Sequence, residues 1–353
     1  MTLKKKQLIE CQSLWKIFGQ KAKTAMQAVK ERNLTKEQVH NEFDCIVGVQ
    51  NATFSVDEGE IFCIMGLSGS GKSTLIRHIN RLIEPTSGEI FIDGENINNL
   101  NQTELREIRS SKIGMVFQNM ALLPHKNVRE NVAFALELRG IDKKSRDKVA
   151  NETLETVELS GWGDRYPDEL SGGMQQRVGL ARAIAANPQI LLMDEPFSAL
   201  DPLIRRQLQD QFIELSQIMH KTTIFITHDL DEAIRIGQRI AIMKDGMLVQ
   251  IGEPEDIVTD PVDDYVAKFV SGISNLHLVT AGKIMQSIAE YEASAGPVKE
   301  ESLLKAKLDD DLDCLIDLSI KTDEPILIES ESKIVGIVSK KTLLAGIQGH
   351  WNT

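Results

Sequence analysis

Short apolar runs alternate with helical stretches along most of the chain. EIFCIMG (60–66) has the pattern of a buried strand, and KIGMVFQ (112–118), QILLMDE (189–195) and TTIFITH (222–228) look similar. The run RIAIMKDGMLVQIG (239–252) reads as a hairpin, because it carries Asp245-Gly246, a dipeptide suited to a two-residue turn. Strands alternating with helices predict an α/β core.

Two segments break this rhythm. Residues 20–46 are polar and helical, and Thr35 with Gln38 can form a capping box ahead of the next helical run. Residues 119–186 contain no convincing strand and read as a mostly helical insertion. A linker-like stretch, DPVDDYVAKFVSGIS (260–274), leads to an acidic tail, where residues 281–353 hold 8 lysines and arginines against 13 acids. The expected division is 1–275 for the main domain and 276–353 for a small C-terminal module.

Bulk properties narrow the class. A chain of 353 residues exceeds one ordinary core, so roughly two or three domains are expected. Hydrophobic content of 42% with 26% charged residues belongs to a soluble globular protein. No run is long and apolar enough for a membrane span, and the basic start MTLKKKQLIE is followed by no apolar signal core, so a cytosolic chain is expected. Cys11, Cys45, Cys63 and Cys314 lack paired spacing and read as small buried hydrophobes in a reducing compartment. A net charge of −12 argues against non-specific nucleic-acid binding, since the chain has no basic excess to replace counterions on phosphates.

The chemistry is concentrated at strand ends. GLSGSGKST (66–74) follows a strand and opens a helix, the context a phosphate-cradling loop requires. Gly66, Gly69 and Gly71, with Leu67, Ser68 and Ser70 between them, let backbone N–H groups close on phosphates. Lys72 can reach the β- and γ-phosphates, the Ser73 hydroxyl can ligate Mg²⁺, and Thr74 lies near the α-phosphate. Asp194 at the end of ILLMDE can hold Mg²⁺, and Glu195 beside it can polarise an attacking water. His228 ends TTIFITH, where it can meet the γ-phosphate or orient water. Gln118 ends MVFQ similarly, and its amide can contact Mg²⁺ or water. A second turn with adjacent glycines, LSGGMQQRVGLARAIA (170–185), puts Ser171, Gly172 and Gly173 at another helix N-terminus, a further anion-ready end.

The phosphate loop, MVFQ, LSGGMQQR, LLMDEP, SALD (198–201) and ITHD occur in the order and spacing of the ATP-binding subunit of an ABC transporter, which the chain resembles from about residue 11 to 255. The resemblance implies a P-loop NTPase core with a helical subdomain at about 119–186 and an antiparallel β subdomain. It implies an aromatic adenine platform before a glycine in the first strand; Phe18 before Gly19 occupies that place, with Trp15 the rival. It makes LSGGMQQ the signature motif and places Asp201 in the D-loop. It further implies a head-to-tail homodimer, in which each chain's Ser171-Gly172-Gly173 closes on ATP held by the other's Lys72. An integral membrane permease would receive the subunit on the cytoplasmic face of the inner membrane, near 119–139, with a substrate-binding protein as indirect partner.

Longer stretches, among them YPDELSGGMQQRVGLARAIAANPQILLMDEPFSALDPLIRRQLQDQ, are similar to the glycine betaine/proline subfamily, as is the insertion at 20–46. In the tail, KTDEPILIESESKIVGIVSKKTLLAGI and TAGKIM resemble a single CBS module. Transport of a compatible solute, with ATP and Mg²⁺ as cofactors, is therefore the expected function. A soluble ABC-type ATPase and a nucleotide-regulated CBS protein are the alternatives.

Overall fold

The computed structural model describes residues 6–118, 120–198, 200–298, 303–331 and 333–349. The chain divides into two compact units, Met1–Ile251 and Gly252–Thr353.

In the first unit, β1 (Gln7–Phe18), β2 (Ile46–Asp57), β4 (Ser87–Ile92) and β5 (Glu95–Asn96) form an antiparallel sheet in the order β2-β1-β4-β5. The second sheet has the order β10-β9-β3-β8-β7-β6, with β3 (Ile61–Met65), β6 (Ile113–Val116), β7 (Ile190–Asp194), β8 (Thr222–Thr227), β9 (Arg239–Lys244) and β10 (Met247–Gly252). Strands β6, β7, β8, β3 and β9 run parallel. Strands β3, β7 and β8 are buried along their whole length, which is why they read as continuous apolar runs. The β9–β10 turn is Asp245-Gly246, both at positive φ (50° and 81°), as a twist-matched hairpin demands.

One core joins these layers. Leu14, Phe54 and Ile90 of the antiparallel sheet pack with Phe62, Leu192 and Ile224 of the parallel sheet, and Leu75, Ile76 and Ile79 of helix Lys72–Ile79 fill the space between. Phe54 stacks on Phe62 with ring centroids 5.3 Å apart.

The insertion at 20–46 forms helices Ala22–Arg32 and Lys36–Phe43, and the Thr35–Gln38 capping box is present. These helices close a small apolar cluster with Ile17, Cys45 and Val47, against which Trp15 packs. Among its described residues the segment 119–186 contains no strand; its regular elements are helices separated by turns, the last being the helix Gly172–Ala185. Among the described residues no helix is long and apolar enough to cross a membrane.

The second unit contains a sheet of β11 (Lys305–Lys307), β12 (Ile326–Ser330) and β13 (Lys333–Val338), ordered β11-β12-β13 and followed by helix Lys340–Ile347. Its own core includes Val279, Leu312, Leu315, Ile328 and Val338. The unit begins at Gly252, not at 276 as the sequence suggests. The linker-like stretch carries the helix Asp264–Val270, and the preceding helix Pro254–Thr259 is tied into the unit by Glu255, which accepts from Thr280 N at 2.9 Å. Cys11, Cys45 and Cys63 are buried as expected, whereas Cys314 is exposed.

Candidate active site

Parallel pairing brings the strand ends to one edge of the sheet. Met65 is level with Thr227, Asp194 with Ile226 and Val116 with Met193. The residues that follow these ends, Gly66, His228, Glu195 and Gln118, therefore emerge together.

The loop 66–71 is held open by close backbone packing. A Cβ on Gly66 would stand 2.1 Å from the Met243 carbonyl oxygen, and one on Gly71 would stand 2.4 Å from that of Gly48. Gly246 N donates to the Ser70 carbonyl at 2.8 Å, so the β9–β10 hairpin braces the loop from beneath. The crest, Leu67 to Gly69, is exposed, while the Ser70 hydroxyl is buried with no partner. Lys72, 4% exposed, donates to the carbonyls of Gly66 (2.7 Å) and Leu67 (3.1 Å). Burial pulls its ammonium below the ordinary lysine range, and the Glu195 and Asp194 carboxylates pull it back up. The Thr74 carbonyl meets the ring of buried His78.

Asp194 is fully buried with both oxygens engaged: Ser73 Oγ donates to one at 2.7 Å, and Arg77 pairs with the other at 3.0 Å. A fully buried carboxylate next to a hydroxyl suits a divalent cation, because an isolated buried charge is costly. Glu195 follows in the left-handed region (φ 48°), a conformation that costs a non-glycine residue energy. Around its carboxylate stand Gln118 Nε2 at 3.2 Å, His228 Nδ1 at 3.3 Å and Lys72 Nζ at 4.0 Å. Gln118 thus contacts Glu195 directly, the partner this structure gives it. Arg77 escapes a sequence reading, because a charge five positions beyond Lys72 looks like any exposed helical arginine.

Other expected residues lie elsewhere. Ser171 caps the helix Gly172–Ala185, its hydroxyl accepting from Met174 N at 3.4 Å. Ser171, Gly172, Gly173 and Asp201 line a cleft of about 620 Å³ that none of residues 66–74 borders. Asp201 caps the helix Pro202–Met219, accepting from Ile204 N at 3.1 Å. Phe18 is 40% exposed, with Lys16 Nζ 5.1 Å from its ring centroid. Trp15, by contrast, is taken up in the insertion cluster. An apolar cleft of about 470 Å³ opens beside Gln118, lined by Met115, Phe117, Leu123, Phe134 and Leu138 among others.

Residues 49–198 match the family model described as ABC transporter. The chain is 52% identical to the glycine betaine transport ATP-binding protein OpuAA of Bacillus subtilis, over 84% of this chain and 71% of that protein. It is 46% identical to the glycine betaine/proline betaine transport system ATP-binding protein ProV of Escherichia coli, over 97% of this chain and 84% of that one. Among solved structures, a dimer of the ATP-binding cassette MJ0796 bound to ADP and Pi superposes with a TM-score of 0.59 and 34% identity, over 70% of this chain and 99% of that chain. A buried lysine in a glycine-braced loop, a carboxylate hub at the same sheet edge and these likenesses converge: the chain belongs to the ABC transporter family, as an ATP-binding subunit of the glycine betaine type.

Proposed function

We propose that this chain hydrolyses ATP to power uptake of a quaternary amine or related compatible solute, in the class of glycine betaine, proline betaine, choline and trimethylamine N-oxide. Relatives named for glycine betaine, choline and trimethylamine N-oxide transport support that class. The observation that carries the hydrolytic role is Glu195, whose carboxylate gathers Lys72, Gln118 and His228 within 4.0 Å.

The loop 66–74 binds the phosphates through backbone N–H groups, and Lys72 adds positive charge at the β- and γ-phosphates. Phe18, more exposed than Trp15, offers its ring to the adenine. Ser73 and Asp194, with Gln118 nearby, would hold Mg²⁺, which when bound neutralises charge on the phosphate oxygens. Glu195 draws a proton from the attacking water, and His228 fixes the carboxylate and its water in line. Positioning and charge stabilisation account for most of the acceleration, as in other phosphoryl transfers.

Two copies assemble head to tail, each offering Ser171-Gly172-Gly173 to the other's phosphates. The separate cleft that holds this helix end supports the arrangement. The apolar cleft beside Gln118 is the seat for a membrane permease, which keeps the subunit on the inner face of the cell membrane. A substrate-binding protein acts through that permease, and the C-terminal unit is a CBS-like module.

The test is ATP hydrolysis by the complex of chain, permease and binding protein, with each amine added in turn. Stimulation by at least one quaternary amine supports the proposal. Hydrolysis indifferent to all of them, in a complex that forms, would refute the substrate class.

A further inference from the structure

The helix Pro202–Met219 lies beside the helix Leu230–Ile236, which starts after His228 and its N-cap Asp229, and polar rungs join them. Gln209 donates to the buried Glu232 carboxylate at 2.8 Å, and Arg235 pairs with Asp210. These rungs look like helix docking. The rung nearest the active site differs, because its arginine also reaches into the loop before its own helix.

Arg205 sits in the first turn of its helix, its N–H bonded to the Asp201 carbonyl at 2.9 Å. Its guanidinium turns back and uses two nitrogens at once. Nη1 is 3.3 Å from Asp229 Oδ2, and Nη2 donates to the Leu200 carbonyl at 3.2 Å. The planar fork is what permits two acceptors in different segments to be held by one side chain.

Both acceptors lie next to functional groups. Leu200 is buried under the signature helix: a Cβ on Gly173 would stand 3.8 Å from Leu200 Cδ2 and 3.0 Å from Ile204 Cγ2. Asp229 immediately follows His228. Its other oxygen caps the next helix through Glu232 N at 3.2 Å, and its N–H donates to Thr227 Oγ1 at 2.9 Å. Asp229 is thus fixed on both sides of the backbone that carries His228.

We propose that Arg205 is a positioning residue that ties the signature end of a chain to the hydrolytic end of the same chain. If the signature of each chain serves the other chain's ATP, as proposed above and as this inference assumes, the strap links the two ATP sites of a dimer. Closure of Gly173 on one ATP moves Leu200, and Arg205 passes that movement to Asp229 and His228 beside the other ATP.

The test uses the full chain, measured for hydrolysis rate against ATP concentration, nucleotide affinity and thermal stability. Arg205→Met keeps the aliphatic stem and removes the fork. The expected result is kcat lowered ~10-fold with ATP affinity within ~2-fold, and a Hill coefficient lowered toward about 1. Arg205→Lys reaches one acceptor at a time and recovers part of the loss. Asp229→Asn keeps the helix cap but weakens the strap; combined with Arg205→Met it adds no further loss, since both break one link.

Wild-type kcat and Hill coefficient in Arg205→Met would overturn the strap. So would additive losses in the double variant, or a fall in kcat that tracks lost stability and lost ATP affinity with no rescue by Lys. A wild-type chain that binds ATP without hydrolysing it would instead refute the hydrolytic function and the strap along with it.

Discussion

Two helices in the first unit carry a glycine at their N-terminal end, Gly71 and Gly172, and their surroundings differ sharply. The helix Lys72–Ile79 has no side-chain cap, its preceding loop is braced by the β9–β10 hairpin, and Lys72 is buried against it. The helix Gly172–Ala185 is already capped by Ser171, and space lies open around Gly172. Both ends are suited to phosphate by their exposed N–H groups and the helix dipole. Only the first has a buried cation and a carboxylate hub to go with it. On the proposed reading the first holds ATP unaided, and the second is a shaped surface that needs phosphate brought to it.

The largest effects are expected at the first end. Lys72→Met removes the cation that faces the phosphates, and ATP binding measured by nucleotide titration should weaken ~10²-fold or more. Retained affinity would mean that the backbone cradle alone suffices. Glu195→Gln keeps the shape and hydrogen bonds but removes the base, so hydrolysis should fall ~10²–10⁴-fold with ATP still bound. Wild-type turnover in that variant would remove Glu195 from its role.

A gentler substitution sharpens the contrast at the second end. A Cβ on Gly172 meets nothing within 4 Å, so Gly172→Ala should leave stability unchanged or raise it by up to ~1 kcal/mol. Hydrolysis should still fall ~10-fold, because the methyl group stands where backbone meets the partner's phosphate. Unchanged hydrolysis with unchanged stability would show that this helix end touches no phosphate.

The smallest effect concerns how the first helix is anchored. His78 is fully buried in the last turn of that helix, and burial lowers its pKa from 6.5 to about 4. The unfolded chain therefore takes up the proton first, and stability contributed by neutral His78 is present above about pH 6.5 and lost as pH falls toward 4. At pH 5 the loss is about 2 kcal/mol relative to neutral pH. Denaturant unfolding of wild type and His78→Gln at pH 7.5 and 5 should show the smaller pH dependence in the variant. Equal dependence would mean that His78 accepts its proton in the folded state.

Much of this was legible in the sequence, for a physical reason. Strands buried on both faces announce themselves as apolar runs, and β3, β6, β7 and β8 fall inside the predicted segments. Glycines forced by backbone contact, such as Gly66 and Gly71, leave a recognisable spacing. Residues whose role depends on through-space pairing leave none. Arg77 on Asp194 and Arg205 on Asp229 join positions 117 and 24 residues apart and read as ordinary surface charges. The unit boundary at Gly252 was illegible for a related reason. Glu255 and Asp256, just ahead of the linker-like stretch, read as ordinary surface charges, yet they bond to Thr280 and Lys283 within the second unit.

The central claim is that the second helix end serves ATP held by another copy of the chain. Light scattering on Glu195→Gln with and without ATP measures this directly, since blocked hydrolysis leaves the bridging nucleotide in place. Glu195→Gln should form an ATP-dependent dimer, and adding Ser171→Arg should give a chain that binds ATP equally well but stays monomeric. A dimer that persists with Ser171→Arg, or an ATP affinity that collapses with it, would mean that this helix end does not serve ATP held by another copy.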